Sequence, residues 1–431
     1  MKTSVSELYQ LFLEQRKIST DSRNIEPGTI FFALKGDSFD GNAFASQALE
    51  KGAGFAVIDN EKFQTNLRCL LVDNVETALQ QLAAHHRKQL KIPVIGITGT
   101  NGKTTTKELT GNVLAGKFKT VYTRGNLNNH IGVPLSVLSI KQETEIAVIE
   151  MGANHVGEIA ELCQISRPTH GIITNIGRAH LEGFGSFEGV IRAKSELYHF
   201  LEENRGHIFV NNTDELLLTL GKNIQKNTYG SDANAGLVGE ITRKAPFLGV
   251  KIQFKTGTRF IQTRLIGEYN FANIMAAATI GEYFGVEAEK IAGALENYTP
   301  SNNRSQWIKS THNQIIMDAY NANPTSMQSA ILSFADYPVS GKVAILGDMR
   351  ELGKESQKEH RQILDFALAQ NFESVFVIGD QFCKISENKE VHGFQNVEEA
   401  RDYFLKNPLQ NKTMLVKASR GIKLEKLLEV L

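Results

Sequence analysis

Short apolar runs, each followed by a longer stretch with apolar residues at helical spacing, recur along most of this chain. Runs of this kind read as strands buried on both faces, and the stretches behind them as amphipathic helices. Between about 91 and 300 the predicted strands are Val94–Thr98, Ile146–Met151, Gly171–Ile176 and His207–Asn211. From about 304 they are Ile315–Ala319, Val343–Leu346, Val375–Ile378 and Met414–Val416. Strands alternating with helices predict parallel sheets covered by helices. Between about 236 and 266 the period shortens to two, as in Val250-Lys251-Ile252-Gln253-Phe254, which predicts an antiparallel appendage. Helices are expected over Asn270–Tyr283 and near Glu287–Glu296. Residues 1–88 mix strand-like pieces (Ile30–Leu34, Phe55–Ile58, Leu70–Val72) with helix-like ones (Phe44–Lys51, Glu76–Gln89). The expected fold is α/β in three domains: a small N-terminal domain over 1–88, a central parallel-sheet domain over 89–302, and a C-terminal Rossmann-like domain over 303–431.

Composition narrows the class. With 47 basic and 47 acidic residues, the chain has no electrostatic footprint for nucleic acid or an anionic membrane. Cys69, Cys163 and Cys383 are widely spaced and suit neither a disulfide framework nor a zinc site, so a reducing compartment is expected. The N-terminal segment, MKTSVSELYQLFLEQRK, is amphipathic and charged throughout, unlike a secretory signal. No apolar run approaches the length of a bilayer span. A soluble cytoplasmic protein follows as the expectation.

The densest chemistry is Gly96-Ile-Thr-Gly-Thr-Asn-Gly-Lys-Thr-Thr-Thr106, which joins the strand ending near Thr98 to a helix starting near Lys103. Backbone N–H groups at such a helix head, with the helix dipole, form a site for phosphates. Gly99 and Gly102 allow close backbone approach, with Thr100, Asn101 and Thr105 around the loop. Lys103 can reach terminal phosphates, and the Thr104 hydroxyl can hold Mg²⁺. The strict P-loop spacing wants a glycine at 97, where this chain has Ile97, so the loop is the shorter Gly-Thr-x-Gly-Lys-Thr variant. The expected ligand is ATP or a close relative.

Two more strands deliver polar residues to the same edge. Glu150 ends the strand read at Ile146–Met151, where a carboxylate can meet a phosphate-bound Mg²⁺. His180 follows the strand at Gly171–Ile176 and is a candidate metal ligand, although a lone histidine is more often an ordinary one. Lys194, in Arg192-Ala193-Lys194-Ser195-Glu196, reads on its own as a solvated helix residue.

At this point the residues resemble a known family, the Mur ligases, ATP-dependent amide-forming enzymes of peptidoglycan assembly, over essentially the whole chain. The narrower match is to members that add D-alanyl-D-alanine to UDP-N-acetylmuramoyl-tripeptide. It rests on residues 125–134 (GNLNNHIGVP), 150–155 (EMGANH), 179–186 (AHLEGFGS), 318–324 (DAYNANP) and 346–353 (LGDMRELG).

The resemblance implies that Lys103 and Thr104 meet the phosphates and Mg²⁺, and that Glu150 and His180 serve two metal positions. It implies that Lys194 matches a lysine many members carbamylate, which would make it an anionic metal ligand in a partly buried place; whether it is modified here stays open. Gly267-Glu268-Tyr269-Asn270-Phe271-Ala272-Asn273 resembles the family's His-Asn-x-x-Asn helix start, with Asn273 facing adenine and Asn270 lining the nucleotide site. Tyr269 stands where histidine is usual, so no role is carried to it. Arg304 matches the arginine reaching the γ-phosphate, and Asp318 the residue bonding the ribose. The UDP end of the substrate would meet Asp21, Ser22, Arg23 and Lys35 in the N-terminal domain. Asn128, Asn129, Asn154 and His155 would meet the muramoyl-peptide, although loop asparagines are commonly turn formers.

The implied activity is ATP-dependent amide ligation through an acyl phosphate, with small-molecule partners, no nucleic acid, no membrane insertion and a monomeric chain. Four rivals remain, one of them a folylpolyglutamate-type synthetase. A ligase adding the third amino acid is expected to carry Asp-Asn-Pro-Arg in its last domain, which this sequence lacks. A non-catalytic cell-wall-nucleotide binder would have no need of intact Lys103, Thr104, Glu150, His180 and Lys194. A switch or motor NTPase would hydrolyse ATP without an acceptor amine.

Overall fold

The computed structural model describes residues 2–36, 38–301, 303–386 and 391–431. The expected boundary residue Asn302 lies outside the described residues. The chain forms two compact units: residues up to Gly96 with Phe118–Ala153 and Glu158–His170, and Ile97–Lys117 with Asn154–Gly157 and Gly171–Leu431.

In the first unit a four-stranded parallel sheet runs Ile18–Ser19, Ile30–Phe32, Phe55–Ile58, Cys69–Leu71. Ala45, Ala48, Leu49, Ala56 and Ile58 close its core. Small alanines on the helix Ala45–Glu50 let it lie close on the strand Phe55–Ile58. The helix Val75–Gln89 starts on an Asn74 side-chain cap to Thr77 N–H and closes with Leu90 N–H donating to Arg87 O. Arg87 is buried, and its guanidinium donates to the carbonyls of Ser166 (2.9 Å), Leu90 (2.8 Å) and Arg167 (3.0 Å). Burial lowers its pKa to about 10, so it stays charged at neutral pH and serves as a fixed clasp of carbonyls. Thr120–Tyr122 pairs in parallel with Ile146–Glu150, whose five residues are all buried.

In the second unit, consecutive strands His170–Ile173, His207–Asn211, Gln225–Gly230, Leu237–Arg243, Gly249–Phe254 and Gly257–Gln262 lie side by side. The last three pair antiparallel, as the period-two pattern requires. Helix Asn270–Tyr283, apolar on all sides, is buried against helix Lys103–Ala115 and these strands.

A six-stranded sheet follows, ordered Gln306–Lys309, Gln314–Asp318, Thr413–Lys417, Lys342–Gly347, Ser374–Ile378, His392–Phe394, antiparallel only at its first pair. Its strands bury alternate residues in two cores. Ile316, Ala344, Leu346, Val375, Val377 and Leu415 meet helices Pro324–Ala335, Ser356–Leu368 and Asp380–Ser386 on one face. Ile315, Met317, Val343, Ile345, Phe376, Met414 and Val416 meet Val397–Lys406 and the C-terminal turns on the other. A sheet covered on both faces presents its polar chemistry at the carboxyl ends of its strands, here Asp318, Gly347 and Lys417.

The strand read as Gly171–Ile176 ends at Ile173. Thr174 and Asn175 leave the sheet because their side chains bond the glycine loop instead. No described helix is long and apolar enough to cross a membrane.

Candidate nucleotide and ligase site

The glycine loop lies between the buried strand Val94–Thr98 and helix Lys103–Ala115, with Gly102 as N-cap at φ +79°. Its shape is held by side chains distant in sequence. Thr174 Oγ1 donates to Asn101 O (2.6 Å), and Asn175 Nδ2 donates to the same oxygen (3.0 Å). Asn101 N–H donates to Asn175 Oδ1 (3.0 Å), and Thr100 N–H to Asn175 O (2.9 Å). Thr100 Oγ1 donates to Gly177 O (3.2 Å) and lies 2.9 Å from Gly177 N. Asn323, N-cap of helix Pro324–Ala335, donates from Nδ2 to Asn101 Oδ1 (2.8 Å).

Lys103 Nζ folds back on the loop, donating to Gly99 O (2.7 Å) and Thr100 O (2.9 Å). The loop carbonyls thus hold the cation in place, and a phosphate would draw it outward. Thr104 is buried at the first turn of the helix, and Thr105 is half-buried beside it.

Asn270 and Asn273 are both buried and form a chain: Asn270 Nδ2 to Ile266 O (2.7 Å), Asn273 Nδ2 to Asn270 Oδ1 (2.8 Å), Thr106 Oγ1 to Asn273 Oδ1 (3.0 Å). Asn273 also crowds Gly102, where a Cβ would lie 2.5 Å from Asn273 Oδ1. The structure therefore ties both asparagines to the loop's helix. Tyr269 is half-buried and its hydroxyl lies 2.8 Å from Ser305 Oγ; removal of the hydroxyl from water drives its pKa upward. Its departure from histidine is accommodated as local packing.

Lys194 is 2% exposed, on helix Phe187–Glu203, with its ammonium 5.2 Å from the Phe184 ring centroid. The solvated reading is corrected: Val190, Leu197, Tyr198 and Leu201 share its helix face and take it into the interior. His180 has φ +51°, and its Nδ1 meets the carboxylate of Glu351, itself at φ +65°. The imidazole, through that contact, holds the Glu351 carboxyl below its ordinary value. Asn154 and His155 are exposed beside Gly183, where a Cβ would lie 2.3 Å from Asn154 O.

Arg304 stacks on Tyr320, its guanidinium carbon 3.6 Å from the ring centroid. Asp318 accepts from Ser305 N–H (3.0 Å) and from the buried Lys417 Nζ (2.5 Å). Each carboxylate oxygen keeps capacity for a further donor. Beyond the ends of the same sheet lies a cavity of about 980 Å³, lined by Asp348, Arg350, Glu351, Gly379, Gly421 and Lys423 among others.

In the first unit, Glu150 is buried and accepts from Asn128 Nδ2 (2.8 Å). Asn129 Oδ1 accepts from Ile131 N–H (3.2 Å) and Gly132 N–H (2.8 Å), so it forms the turn into helix Gly132–Leu138. Asp21 holds Arg23 through two guanidinium bonds (2.8 and 2.9 Å), and that bonding brings its carboxyl down to about 2. Ser22 accepts Lys51 on its carbonyl (2.9 Å). Lys35 pairs with the buried Asp59 (2.8 Å), which raises the lysine's pKa. Burial pushes Asp59 upward, but Lys35, Asn42 and Val75 N–H outweigh it and hold it below its ordinary value.

Among the described residues no three His, Cys, Asp or Glu side chains gather into a metal site of their own. Mg²⁺ takes few protein oxygens and completes its shell with water and phosphate. Thr104 and Glu150 are hard oxygen donors of the required kind.

Sequence reasoning passed over Thr174, Asn175 and Asn323 as loop supports, and Tyr320 as the platform for Arg304. The quoted strings held all four, but nothing in one sequence shows which distant backbone they touch.

Comparison with known proteins gives three matches to family models. Residues 15–87 match the catalytic domain of the Mur ligase family, 97–281 the Mur ligase middle domain, and 303–420 the Mur ligase glutamate ligase domain. The chain is 36% identical over 424 residues to the UDP-N-acetylmuramoyl-tripeptide--D-alanyl-D-alanine ligase of Bacillus subtilis, covering 96% of this chain and 92% of that one. It superposes on crystal structure I of MurF from Acinetobacter baumannii with a TM-score of 0.87 at 32% identity, covering 97% of each chain. It also superposes on MurF ligase from Thermotoga maritima in complex with ADP, with a TM-score of 0.84 at 26% identity and 97% coverage of each.

Proposed function

The chain belongs to the Mur ligase family, and from that premise we propose that it joins D-alanyl-D-alanine to UDP-N-acetylmuramoyl-tripeptide at the expense of ATP. One observation carries the reading. A loop shaped for a triphosphate, braced by Thr174, Asn175, Gly177 and Asn323, lies in a chain that matches dipeptide-adding relatives along nearly its whole length.

A carboxylate is a poor electrophile. In the proposed reaction the tripeptide's terminal carboxylate attacks the γ-phosphorus of ATP, the bond to ADP breaks, and an acyl phosphate forms. The dipeptide amine then attacks the acyl carbon, loses a proton, and expels phosphate through a tetrahedral intermediate. The protein's part is positioning and charge neutralisation. Lys103 exchanges loop carbonyls for phosphate oxygens, Arg304 meets the γ-phosphate, and Asp318 holds the ribose. Asn270 and Asn273 keep the loop's helix in place beside the nucleotide. Thr104 is assigned to Mg²⁺, and Glu150 and His180, the latter once it leaves Glu351, each to one of two metal positions; the ions when bound would neutralise charge on the phosphates. Buried Lys194 suits carbamylation, since burying an ammonium is costly and the carbamate supplies an anionic oxygen toward the cations.

Asp21, Ser22, Arg23 and Lys35 are assigned to the UDP end, and Asn128, Asn154 and His155 to the muramoyl-peptide; Asn129 supports its turn. The divisions at 1–88, 89–302 and 303–431 are supported by the separate spans of the three family models. The free cysteines fit a cytoplasmic, reducing setting.

Phosphate release with UDP-N-acetylmuramoyl-tripeptide, with and without D-alanyl-D-alanine, tests the reading. Release only with both substrates supports it. Acceptor-independent release indicates an NTPase, and no release indicates a binder.

A further inference from the structure

Arg304 sits between two residues in left-handed backbone, Asn303 at φ +56° and Ser305 at φ +49°. Neither is glycine, and such a pair persists only where surrounding contacts over-determine it. For Ser305 those contacts come from two sides. Its N–H donates to Asp318 Oδ1 (3.0 Å), at the end of a strand of the six-stranded sheet. Its buried hydroxyl lies 2.8 Å from the hydroxyl of Tyr269.

The packing of Tyr269 therefore reaches the residue next to Arg304. Tyr269 is the N-cap of helix Asn270–Tyr283, and its ring lies on Gly267, where a Cβ would stand 2.3 Å from Tyr269 Cε1. One helical turn further on, Asn273 accepts from Thr106 Oγ1 (3.0 Å) on helix Lys103–Ala115 and crowds Gly102 of the glycine loop. A single turn of one helix thus carries both a support of the phosphate loop and the support of Ser305. Tyr298, shortly before Arg304, donates from its hydroxyl to Glu108 Oε2 (2.6 Å) and ties the chain to the loop's helix a second time. The guanidinium end of Arg304 is held separately, stacked on Tyr320, a ring that Arg420 approaches at 5.2 Å.

We propose that Tyr269 is a positioning residue for Arg304: its hydroxyl fixes Ser305, so that the arginine stands at a set reach from the glycine loop. This rests on the assignment of Arg304 to the γ-phosphate above. The loop's N–H groups fix one end of the triphosphate, and an arginine serves the transferring phosphoryl group only at the matching distance. Histidine, the residue usual at this position, is shorter and has no hydroxyl. This chain therefore holds its arginine by a bond of its own.

The test is titration calorimetry with Mg²⁺-ADP and with the Mg²⁺ complex of the non-hydrolysable ATP analogue adenylyl imidodiphosphate. The proteins are the parent chain, Tyr269→Phe, Ser305→Ala, Arg304→Ala and the Tyr269→Phe/Arg304→Ala pair. Tyr269→Phe should weaken the analogue by about 5- to 10-fold, the worth of one hydrogen bond, and leave ADP within about 2-fold, because only the γ-phosphate meets Arg304. Ser305→Ala deletes the same bond from its other side and should do the same. With Arg304 already replaced by alanine, Tyr269→Phe should change nothing further, since it acts through that arginine. Equal weakening of ADP and analogue in both single variants overturns the proposal, because a merely structural residue would behave so. Analogue affinity within about 2-fold of the parent in both variants overturns it as well, as does full additivity with Arg304→Ala. In those cases the assignment of Arg304 stands. If Arg304→Ala itself binds the analogue as the parent does, the γ-phosphate assignment falls, and this inference with it.

Discussion

Replacing Gly99 by alanine should disable the glycine loop while leaving both folded units intact. Gly99 sits at φ +138°, where an L-residue costs about 1–3 kcal/mol. Its new Cβ would lie 2.1 Å from Thr174 Oγ1, 3.0 Å from Thr174 N and 3.1 Å from Asn175 O. Overpacking of this kind costs about 1–3 kcal/mol more. Thr174 yields only by giving up its bonds to Asn101 O (2.6 Å) and Thr98 O (3.3 Å), the first worth about 1 kcal/mol. The braced loop is therefore destabilised by about 3–7 kcal/mol relative to an opened one. Since only the braced form presents its N–H groups to phosphate, affinity falls by the population lost, about 100-fold for a ~3 kcal/mol penalty on a loop that starts near balance. Titration calorimetry with Mg²⁺-ATP measures this directly. Thr174→Ala in the Gly99→Ala background removes the nearest contact but neither the φ cost nor the backbone approach, so roughly 10-fold should return. If Gly99→Ala binds ATP within about 3-fold of the parent, or if the second substitution restores nothing, the bracing scheme is wrong.

Lys103→Ala should lower ligation by at least about 1,000-fold, because it removes a cation from the transferring phosphoryl group, while the melting temperature changes little; phosphate release and calorimetry check both. Lys194→Ala should be nearly inactive and partly rescued by short-chain carboxylates in the assay buffer, and full activity without rescue would eliminate the carbamate. Stability should fall as pH drops below about 6.5. Burial lowers the pKa of His86 and of His360, so the unfolded chain takes up protons that the folded chain refuses; the stabilisation is complete above 6.5 and lost below it. His86 lies against Ile140 O at 2.8 Å, and Met349 N–H donates to His360 Nε2 at 2.9 Å. Urea midpoints between pH 8 and pH 5.5 should show the decline, with a shallower slope in His86→Asn.

Legibility in the sequence followed how local each determinant is. The phosphate loop could be read because strand, glycines, lysine and helix head are contiguous, and helix Asn270–Tyr283 because its pattern is long and uninterrupted. Edge strands such as Thr120–Tyr122 and His392–Phe394 left no trace, being short and only partly buried. The braces were equally hidden: Asn101 and Asn323 are 222 residues apart, and an amide–amide bond needs no pattern in either neighbourhood. Lys194 lies between these cases. Its neighbours at helical spacing, Val190, Leu197, Tyr198 and Leu201, already mark an apolar stripe with a lysine in it, which a solvated reading overlooks. The same logic explains why Arg420 and Tyr320 stayed invisible. Neither residue means anything in its own segment, and the register of Asp318 on Lys417 brings the two strand ends together, with Arg304 and Arg420 both near the Tyr320 ring. Chemistry carried by one segment is written in that segment, whereas chemistry that depends on spacing between charges is written in strand register.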